Sequence, residues 1–333
     1  MAQLFEISQT GKREDLADLI SLVDAHDTPL VSTAKKGSKP GNTLMSWQGD
    51  AYAAAVTTGT VDGSDVSAYE NPGVNRAILQ NYVQIFRRTI RVSPLALEIS
   101  NVAGLKDELS GGIAKKLVEL KRDMEKTCLS ANDAQLDAGS TTAYLTKGLA
   151  TWISTAGGSV LQVPAAFRTP TASIETTATT ANITDTTVQN VLKSIWSETG
   201  SMKSFMMPCG STLKRGLTDR LTGIRTVEGA TDDKGFAATQ VRTFSPAKGK
   251  SVTFALDQFV GDFGTVDLVA SNYMPAVTDG HVLDMSGIEL RYGKLPSIKE
   301  LPDAGGGPIR MIEAVAALIV HNPLAHGKFD LAS

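Results

Sequence analysis

The clearest pattern of apolar and polar positions lies between residues 105 and 131. Its apolar residues recur at steps of three and four, and they are Leu105, Leu109, Ile113, Leu117, Leu120, Met124 and Cys128. That spacing places them on one face of an α-helix. The opposite face is charged, with Lys115–Glu119 and Lys121–Glu125 at the i,i+4 spacing of helical ion pairs. The pattern predicts a long helix over 103–131, in which Gly111-Gly112 indicates either a kink or the close approach of another backbone.

A second pattern predicts a long β-ribbon closer to the N-terminus. Thr43–Trp47 reads as a strand, and residues 77–93 alternate partly and are rich in residues that favour strands. Residues 53–75 between them are mostly small. Because an isolated two-stranded hairpin is at best marginally stable in water, the ribbon needs a surface to lie on. A neighbouring subunit would supply one.

The rest of the chain shows shorter elements of both kinds. The first 45 residues are polar and interrupted, and a candidate helix over 15–25 makes them typical of an arm with one docking helix. Thr184-Asp185 is predicted to cap a helix and Ser211 another. Further predicted features are a strand over 205–208, a threonine-rich surface excursion or short strands over 158–185, and strands over 252–260, 264–271, 282–292 and 309–321. This order is typical of the α+β class.

Composition and charge exclude several classes of protein. The chain of 333 residues carries 32 basic and 35 acidic side chains, which gives a net charge of −3. A protein that wraps nucleic acid would show clustered Lys and Arg and a high pI. The longest uninterrupted apolar run is Ala314–Val320, whereas a bilayer span needs about 20 residues. Since the N-terminus lacks the apolar stretch of a secretory signal, we expect a soluble protein that begins in a cytoplasm.

Two loops offer candidate chemistry but lack the context that it requires. Gly249-Lys250-Ser251 resembles the end of a phosphate-binding P-loop, yet Phe244 stands where the motif needs glycine, and a predicted strand follows. Asp232-Asp233 with Glu228 offers oxygen ligands for a cation, but a solvated acidic loop is the simpler interpretation.

The histidines and cysteines also give no catalytic pattern. His321 and His326 flank Asn-Pro instead of sharing a helix face, so they do not form a zinc motif. Cys128 and Cys209 are far apart in sequence and are interpreted as two small buried residues in a reducing compartment. We therefore predict that the chain is not an enzyme and has no catalytic, cofactor-binding or metal-binding residues.

Several short motifs, in their order along the chain, resemble the tailed-bacteriophage major capsid proteins of the HK97-like fold, and more narrowly their SU10-like branch. The resemblance covers about residues 5–330. The motifs are Asp27-Thr28-Pro29-Leu30, Trp47 with Asp50, Asn81–Ile85 with Val92-Ser93, Glu119–Glu125, Asp262-Phe263-Gly264 with Val266, and Glu313 with Asn322. Pro94 departs from the small polar residues usual in the family, and residues 158–182 match nothing in it.

The resemblance implies an α+β capsid fold with an N-terminal arm, an extended β-hairpin loop, a peripheral domain with a long spine helix, and an axial domain. The implied domains are 1–43 (arm), 44–93 (extended loop), 94–184 (first part of the peripheral domain), 185–250 (axial domain) and 251–333 (return to the peripheral domain). The late strands would then pack on the spine helix.

The implied function is a shell protein that self-assembles through hexamers and pentamers into an icosahedral head enclosing double-stranded DNA. Implied partners are other copies of the chain, a portal, scaffolding or decoration proteins, and DNA bound weakly and non-specifically, with no membrane. The protein would belong to the virion and assemble in the host cytoplasm. Two alternatives remain open: an encapsulin-like compartment shell, which shares the fold, and a soluble hydrolase, which no motif supports.

The resemblance also raises the question of covalent cross-linking. In the family's cross-linking members, a lysine on the extended loop joins an asparagine of a neighbouring subunit with help from a glutamate. Here no lysine occurs between Lys39 and Lys106. The sequence therefore predicts a shell without loop cross-links.

Overall fold

The computed structural model describes residues 27–66, 69–71, 73–99, 107–139, 141–180, 182–221 and 257–331. Its α-helices are α1 (Pro29–Thr33), α2 (Pro94–Ile99), α3 (Glu108–Leu129), α4 (Leu149–Trp152), α5 (Asp185–Thr199) and α6 (Ser211–Leu221). Its strands are β1 (Lys35–Gly37), β2 (Leu44–Gly49), β3 (Ala77–Tyr82), β4 (Gln84–Arg91), β5 (Ile174–Glu175), β6 (Lys203–Cys209), β7 (Gln258–Gly261), β8 (Gly264–Ala270), β9 (Asp279–Val282), β10 (Ile288–Leu301), β11 (Ile309–Val320) and β12 (Gly327–Asp330). The predicted α+β class is confirmed. The candidate helix over 15–25 lies outside the described residues, as do Glu228, Asp232-Asp233, Phe244 and Gly249–Ser251.

The long helix α3 packs against the first sheet. The strand order of this sheet is β1-β10-β11-β4, with β11 antiparallel to both of its neighbours. The apolar run at the end of β11 is buried, so this strand is the centre of the first core. Helix α3 contributes Leu120, Met124 and Cys128 to that core, as its period predicts.

The second sheet is mixed and has the order β5-β12-β9-β6-β8-β7. Helix α5 packs Val188, Val191, Leu192 and Ile195 into this second core, which also includes Leu213 and Leu217 of α6. Strands β7 and β8 follow residue 251, yet β8 runs parallel to β6 and completes this sheet. The expectation that the late strands pack on the spine helix therefore holds for β11, which contacts α3, and is wrong for β7, β8 and β12, which belong to the second sheet.

Helix α3 runs without interruption from Glu108 to Leu129, capped by Asp107, whose carboxylate accepts the N–H groups of Leu109 and Ser110. Within the described residues, the long helix is confirmed. A Cβ added to Gly112 would overlap Cδ1 of Ile90 on β4. This glycine therefore allows the helix to lie close to the sheet, and the neighbour that approaches is a side chain, where the sequence indicated a backbone.

The predicted ribbon is shorter than expected. Strands β2 and β3 pair over six residues, from Leu44 opposite Tyr82 to Gly49 opposite Ala77. At Val83 the chain leaves β2, and β4 pairs with β11 instead. The single strand predicted over 77–93 is thus two strands, of which β3 pairs with β2 and β4 belongs to the first sheet. The described residues between 50 and 76 contain no strand or helix.

The segment expected to be a surface excursion takes part in both cores. Its regular structure consists of two short 3-10 turns and β5, but Val163 and Phe167 are buried in the first core and Ala178 and Ile183 in the second. No described helix has the length and apolar character needed to cross a bilayer.

Candidate assembly surfaces

The segment between β2 and β3, called here the 50–76 loop, exposes nearly all of its described side chains. Tyr52 is 102% exposed and Tyr69 is 91% exposed, so these rings are hardly covered by the part of the chain that the structure describes. Four valines are also exposed by at least 72%: Val56, Val61, Val66 and Val74. Exposed apolar side chains repeated along one segment are typical of a surface that a partner covers.

Between the base residues Asp50 and Arg76, the charged side chains of this loop are all acidic. At its base, Arg76 forms a 3.1 Å ion pair with Asp50. Between them, residues 51–75 contain Asp62, Asp65 and Glu70 and no Lys, Arg or His. The loop therefore projects three acidic groups together with its exposed apolar side chains.

The root of the loop is fixed by one buried amide. Asn81 on β3 donates through Nδ2 to the Leu318 carbonyl (2.7 Å) and to Oγ1 of Thr146 (3.0 Å). Its Oδ1 accepts the backbone N–H of Lys147 at 2.8 Å. Asn81 thus ties the loop's return strand to the central strand β11. The resemblance marked this residue, but its contacts could not be read from the sequence.

The arm is held by a second buried polar group, Glu125 on α3. One carboxylate oxygen accepts the N–H of Leu30 at 3.0 Å and the other accepts that of Val31 at 2.8 Å. Burial raises the pKa of Glu125, while the two N–H donors oppose that rise. The sequence paired Glu125 with Lys121, and this prediction is wrong because Glu125 faces inward, next to Met124 in the apolar stripe.

Helix α3 is joined to β4 by ion pairs. Arg88 donates to both carboxylate oxygens of Asp123 at 2.6 Å, and its pKa is raised mainly by that hydrogen bond. Glu119 lies 2.7 Å from Nζ of Lys116 and 3.9 Å from Arg88. The predicted Lys115–Glu119 pair is therefore replaced by Lys116–Glu119.

An open cleft of about 600 Å³ lies between this part of α3 and the loop after β8. Arg122, Lys126 and Ala131 line one side, and Tyr273, Met274 and Pro275 line the other. The guanidinium of Arg122 lies 5.9 Å from the centre of the Tyr273 ring. Lys126 is exposed, as is Lys115 further along the helix.

The residues weighed for chemistry lie in separate environments. Cys128 and Cys209 are buried, and burial raises the pKa of both thiols, to about 11 for Cys209. His321 is exposed and lies 2.9 Å from Glu289. His326 is buried and accepts the N–H of Asp284 at 3.1 Å. The described residues contain no group of three or more His, Cys, Asp or Glu placed to hold a metal ion.

One buried histidine was missed by sequence reasoning. His281 on β9 hydrogen-bonds through Nε2 to the carbonyl of Leu129, the last residue of α3, at 3.3 Å. It therefore connects the second sheet to the end of the long helix. A lone histidine in an apolar stretch gives no signal of such a role.

The sequence model of the SU10 major capsid protein family matches residues 4–332. The chain belongs to this family. It is also 37% identical to the major capsid protein of Escherichia phage Phieco32 over 127 residues, which are 37% of this chain and 34% of that protein. The matched region thus spans about a third of that relative's length.

Solved capsid structures share the fold of this SU10-family chain. The capsid protein of cyanophage P-SCSP1u superposes with a TM-score of 0.60 at 10% identity, covering 99% of this chain and 97% of its own. That of the native GTA particle gives 0.60 at 11% identity (97% and 96% covered), and a structure from Gordonia phage Cozz gives 0.55 at 14% (97% and 92%). The HK97-like fold is confirmed, and the hydrolase alternative is not favoured.

Proposed function

We propose that this protein is the major capsid protein of a tailed phage and that its copies assemble through hexamers and pentamers into an icosahedral head around double-stranded DNA. The observation that carries the proposal, beside family membership, is the 50–76 loop. It exposes two tyrosines and four valines while its root is fixed by Asn81. Such a segment gains stabilising contacts only from a neighbour, because ordering it alone costs conformational entropy without burying apolar surface.

The finer assignments belong to the same proposal. We propose residues 1–43 as the arm, residues 44–93 as the extended loop, the sheet with α3 as the peripheral domain and the β6 sheet with α5 and α6 as the axial domain. A portal and scaffolding or decoration proteins are the further partners. DNA would touch the inner face weakly, since a net charge of −3 provides little phosphate attraction. Assembly would take place in the host cytoplasm.

Particle formation by the expressed chain tests this function. Size-exclusion chromatography and negative-stain microscopy should show closed shells, with unassembled 35.2 kDa subunits as the precursor. A monomer that stays monomeric on concentration would contradict the proposal. Shells that enclose enzymes and never package DNA would instead support the encapsulin-like alternative.

A further inference from the structure

We propose that one bound water joins the buried rings of His281 and His326 and completes a chain of hydrogen bonds between the second sheet and the end of α3. This water site lies inside a single subunit, so it does not depend on the proposed shell function. It follows from two buried ring nitrogens whose hydrogen-bonding needs complement each other.

Both histidines lie where the two cores meet. The antiparallel register of β9 and β12 pairs His281 with Lys328, and His326 comes two residues before Lys328. The backbone of His326 is extended, so the two rings project from the same face of the strand pair as diagonal neighbours. On that face Leu283 belongs to the first core, whereas Val282 on the opposite face belongs to the second.

The contacts of each ring fix which of its nitrogens carries the proton. Nε2 of His281 lies 3.3 Å from the carbonyl oxygen of Leu129, which can only accept, so this nitrogen donates. Nδ1 of His326 accepts the N–H of Asp284 at 3.1 Å, so the proton of this neutral ring is on Nε2. The remaining positions are therefore an acceptor, Nδ1 of His281, and a donor, Nε2 of His326.

Neither remaining nitrogen has a hydrogen-bond partner among the described residues, although both rings are fully buried. Buried polar groups are normally paired with protein or with an ordered water. A Cβ on Gly287 would lie 3.9 Å from Nε2 of His326 and within 4 Å of no other described heavy atom outside its own stretch of chain, so there is room beside this nitrogen. One water that accepts from His326 and donates to His281 satisfies both rings.

The completed chain runs in one direction. It starts at the N–H of Asp284, passes through His326, the water and His281, and ends at the carbonyl of Leu129. Each link uses one donor and one acceptor, so the chain requires both rings to be neutral. A proton on Nδ1 of His326 would set two donors against each other, because the N–H of Asp284 already points at this atom.

Acid should therefore open this joint between the cores. Two carboxylates and two ammonium groups act on the rings, and they are Asp284, Asp330, Lys203 and Lys328. Their charges balance in sign, and burial is the main reason that the pKa of each ring is lowered to about 4. The chain of hydrogen bonds holds at neutral pH and is lost as the pH falls towards that value.

Two substitutions each remove one half of the bridge and keep the other contact of the same ring. In His281→Gln the amide N–H can still donate to Leu129, but no acceptor replaces Nδ1. In His326→Asn the amide oxygen can still accept from Asp284, but no donor replaces Nε2. At neutral pH each should raise the unfolding equilibrium constant of unassembled subunits by about tenfold. The double variant should also show about a tenfold change, because the second substitution breaks nothing further.

A control cycle combines His281→Gln with Ile312→Val on the central strand β11, and there the two effects should multiply. Nuclear magnetic resonance of the unaltered subunit with isotope-labelled histidine observes the bridge directly. His326 should carry its proton on Nε2 and show cross-relaxation from that proton to a long-lived water.

The outcomes are distinct. Effects of His281→Gln and His326→Asn that multiply would overturn the proposal, as would a proton on Nδ1 of His326. Coupling without a bound water would overturn it too, because the rings would then contact each other directly. If either variant fails to fold, the resonance measurement on the unaltered subunit decides by itself, since it needs no substitution. Failure of the chain to form shells would contradict the proposed function and leave each of these readouts unchanged.

Discussion

The Glu125 carboxylate accepts the backbone N–H of Leu30 at 3.0 Å, and its other oxygen accepts that of Val31 at 2.8 Å. Helix α1 begins with Pro29, and Thr28 provides no side-chain cap. Glu125 therefore satisfies donors that every helix start leaves open, across 95 residues of sequence. Two motifs of the family, one in the arm and one in α3, meet in this contact.

Removing this acceptor should release the arm. Glu125→Ala leaves two buried N–H groups unsatisfied, and we expect a loss of about 3 kcal/mol in the free energy of unfolding. Limited proteolysis should then cut near residues 27–34 sooner than in the unaltered chain. Lys121→Gln is the control, since an ion pair between Lys121 and Glu125 would make it equally sensitive, whereas the observed geometry predicts no change.

Acidity should modulate the effect of Glu125→Gln. Burial raises the pKa of Glu125, so the folded state binds its proton more tightly than the unfolded state. The ionised carboxylate therefore costs stability at pH values above the ordinary pKa of 4.5, and that cost disappears as the pH falls below it. The neutral glutamine avoids the cost, so its destabilisation should be smaller at pH 7 than at pH 4 in urea titrations. A difference that does not change with pH would contradict this account.

Much of the first core could be predicted from the sequence, because a long apolar pattern identifies an element and its buried face without knowledge of the elements that pack on it. The period of α3 and the apolar run of β11 both lie where they were predicted. The change of pairing partner at Val83 could not be predicted. A strand that changes partners shows the same alternation of apolar and polar residues as one that keeps its partner. Glu125 was assigned to an ion pair with Lys121 because their spacing fits one. That spacing does not show whether the Glu125 side chain points to solvent or to the arm.

The close approach at Gly112 gives a third prediction. Gly112→Ala should gain about 1 kcal/mol of helix propensity and lose part of it, because the Ile90 side chain must rotate to move Cδ1 away from the new methyl group. Ile90→Val removes that atom. In the Ile90→Val background, Gly112→Ala should therefore stabilise the subunit by about 1 kcal/mol. Equal effects in both backgrounds, measured by chemical denaturation, would show that the two residues are not coupled.

The two buried histidines should make the subunit sensitive to acid. Burial lowers the pKa of His281 and of His326 to about 4, from an ordinary value of 6.5. Between pH 6.5 and 4 the unfolded chain therefore binds more protons than the folded chain. The free energy of unfolding should fall as the pH drops through this range. Each histidine contributes a slope of up to about 1.4 kcal/mol per pH unit. His281→Gln or His326→Gln should flatten this dependence, which acid titration of unfolding would show.

The 50–76 loop should become protected only on assembly. Its described residues have no regular secondary structure and its rings are exposed, so its amides should exchange quickly in free subunits. In shells, contact with a neighbour should slow exchange over residues 52–75. Hydrogen exchange read by mass spectrometry compares the two forms, with β11 as an internal reference that is slow in both. Equal exchange of the loop in subunits and shells would argue against its role between subunits.

Mature shells should contain no covalent cross-links through this loop. An amide bond between subunits needs an unprotonated amine as nucleophile, and no lysine lies between Lys39 and Lys106. Arg76 and Arg87 cannot replace it, because a guanidinium stays protonated. In addition, Arg76 pairs with Asp50 and Arg87 pairs with Glu313. Overlap of loop and arm, or a decoration protein, must then stabilise the shell without covalent bonds. Boiled particles should run as one band near 35.2 kDa, whereas a ladder that survives reduction would contradict the prediction.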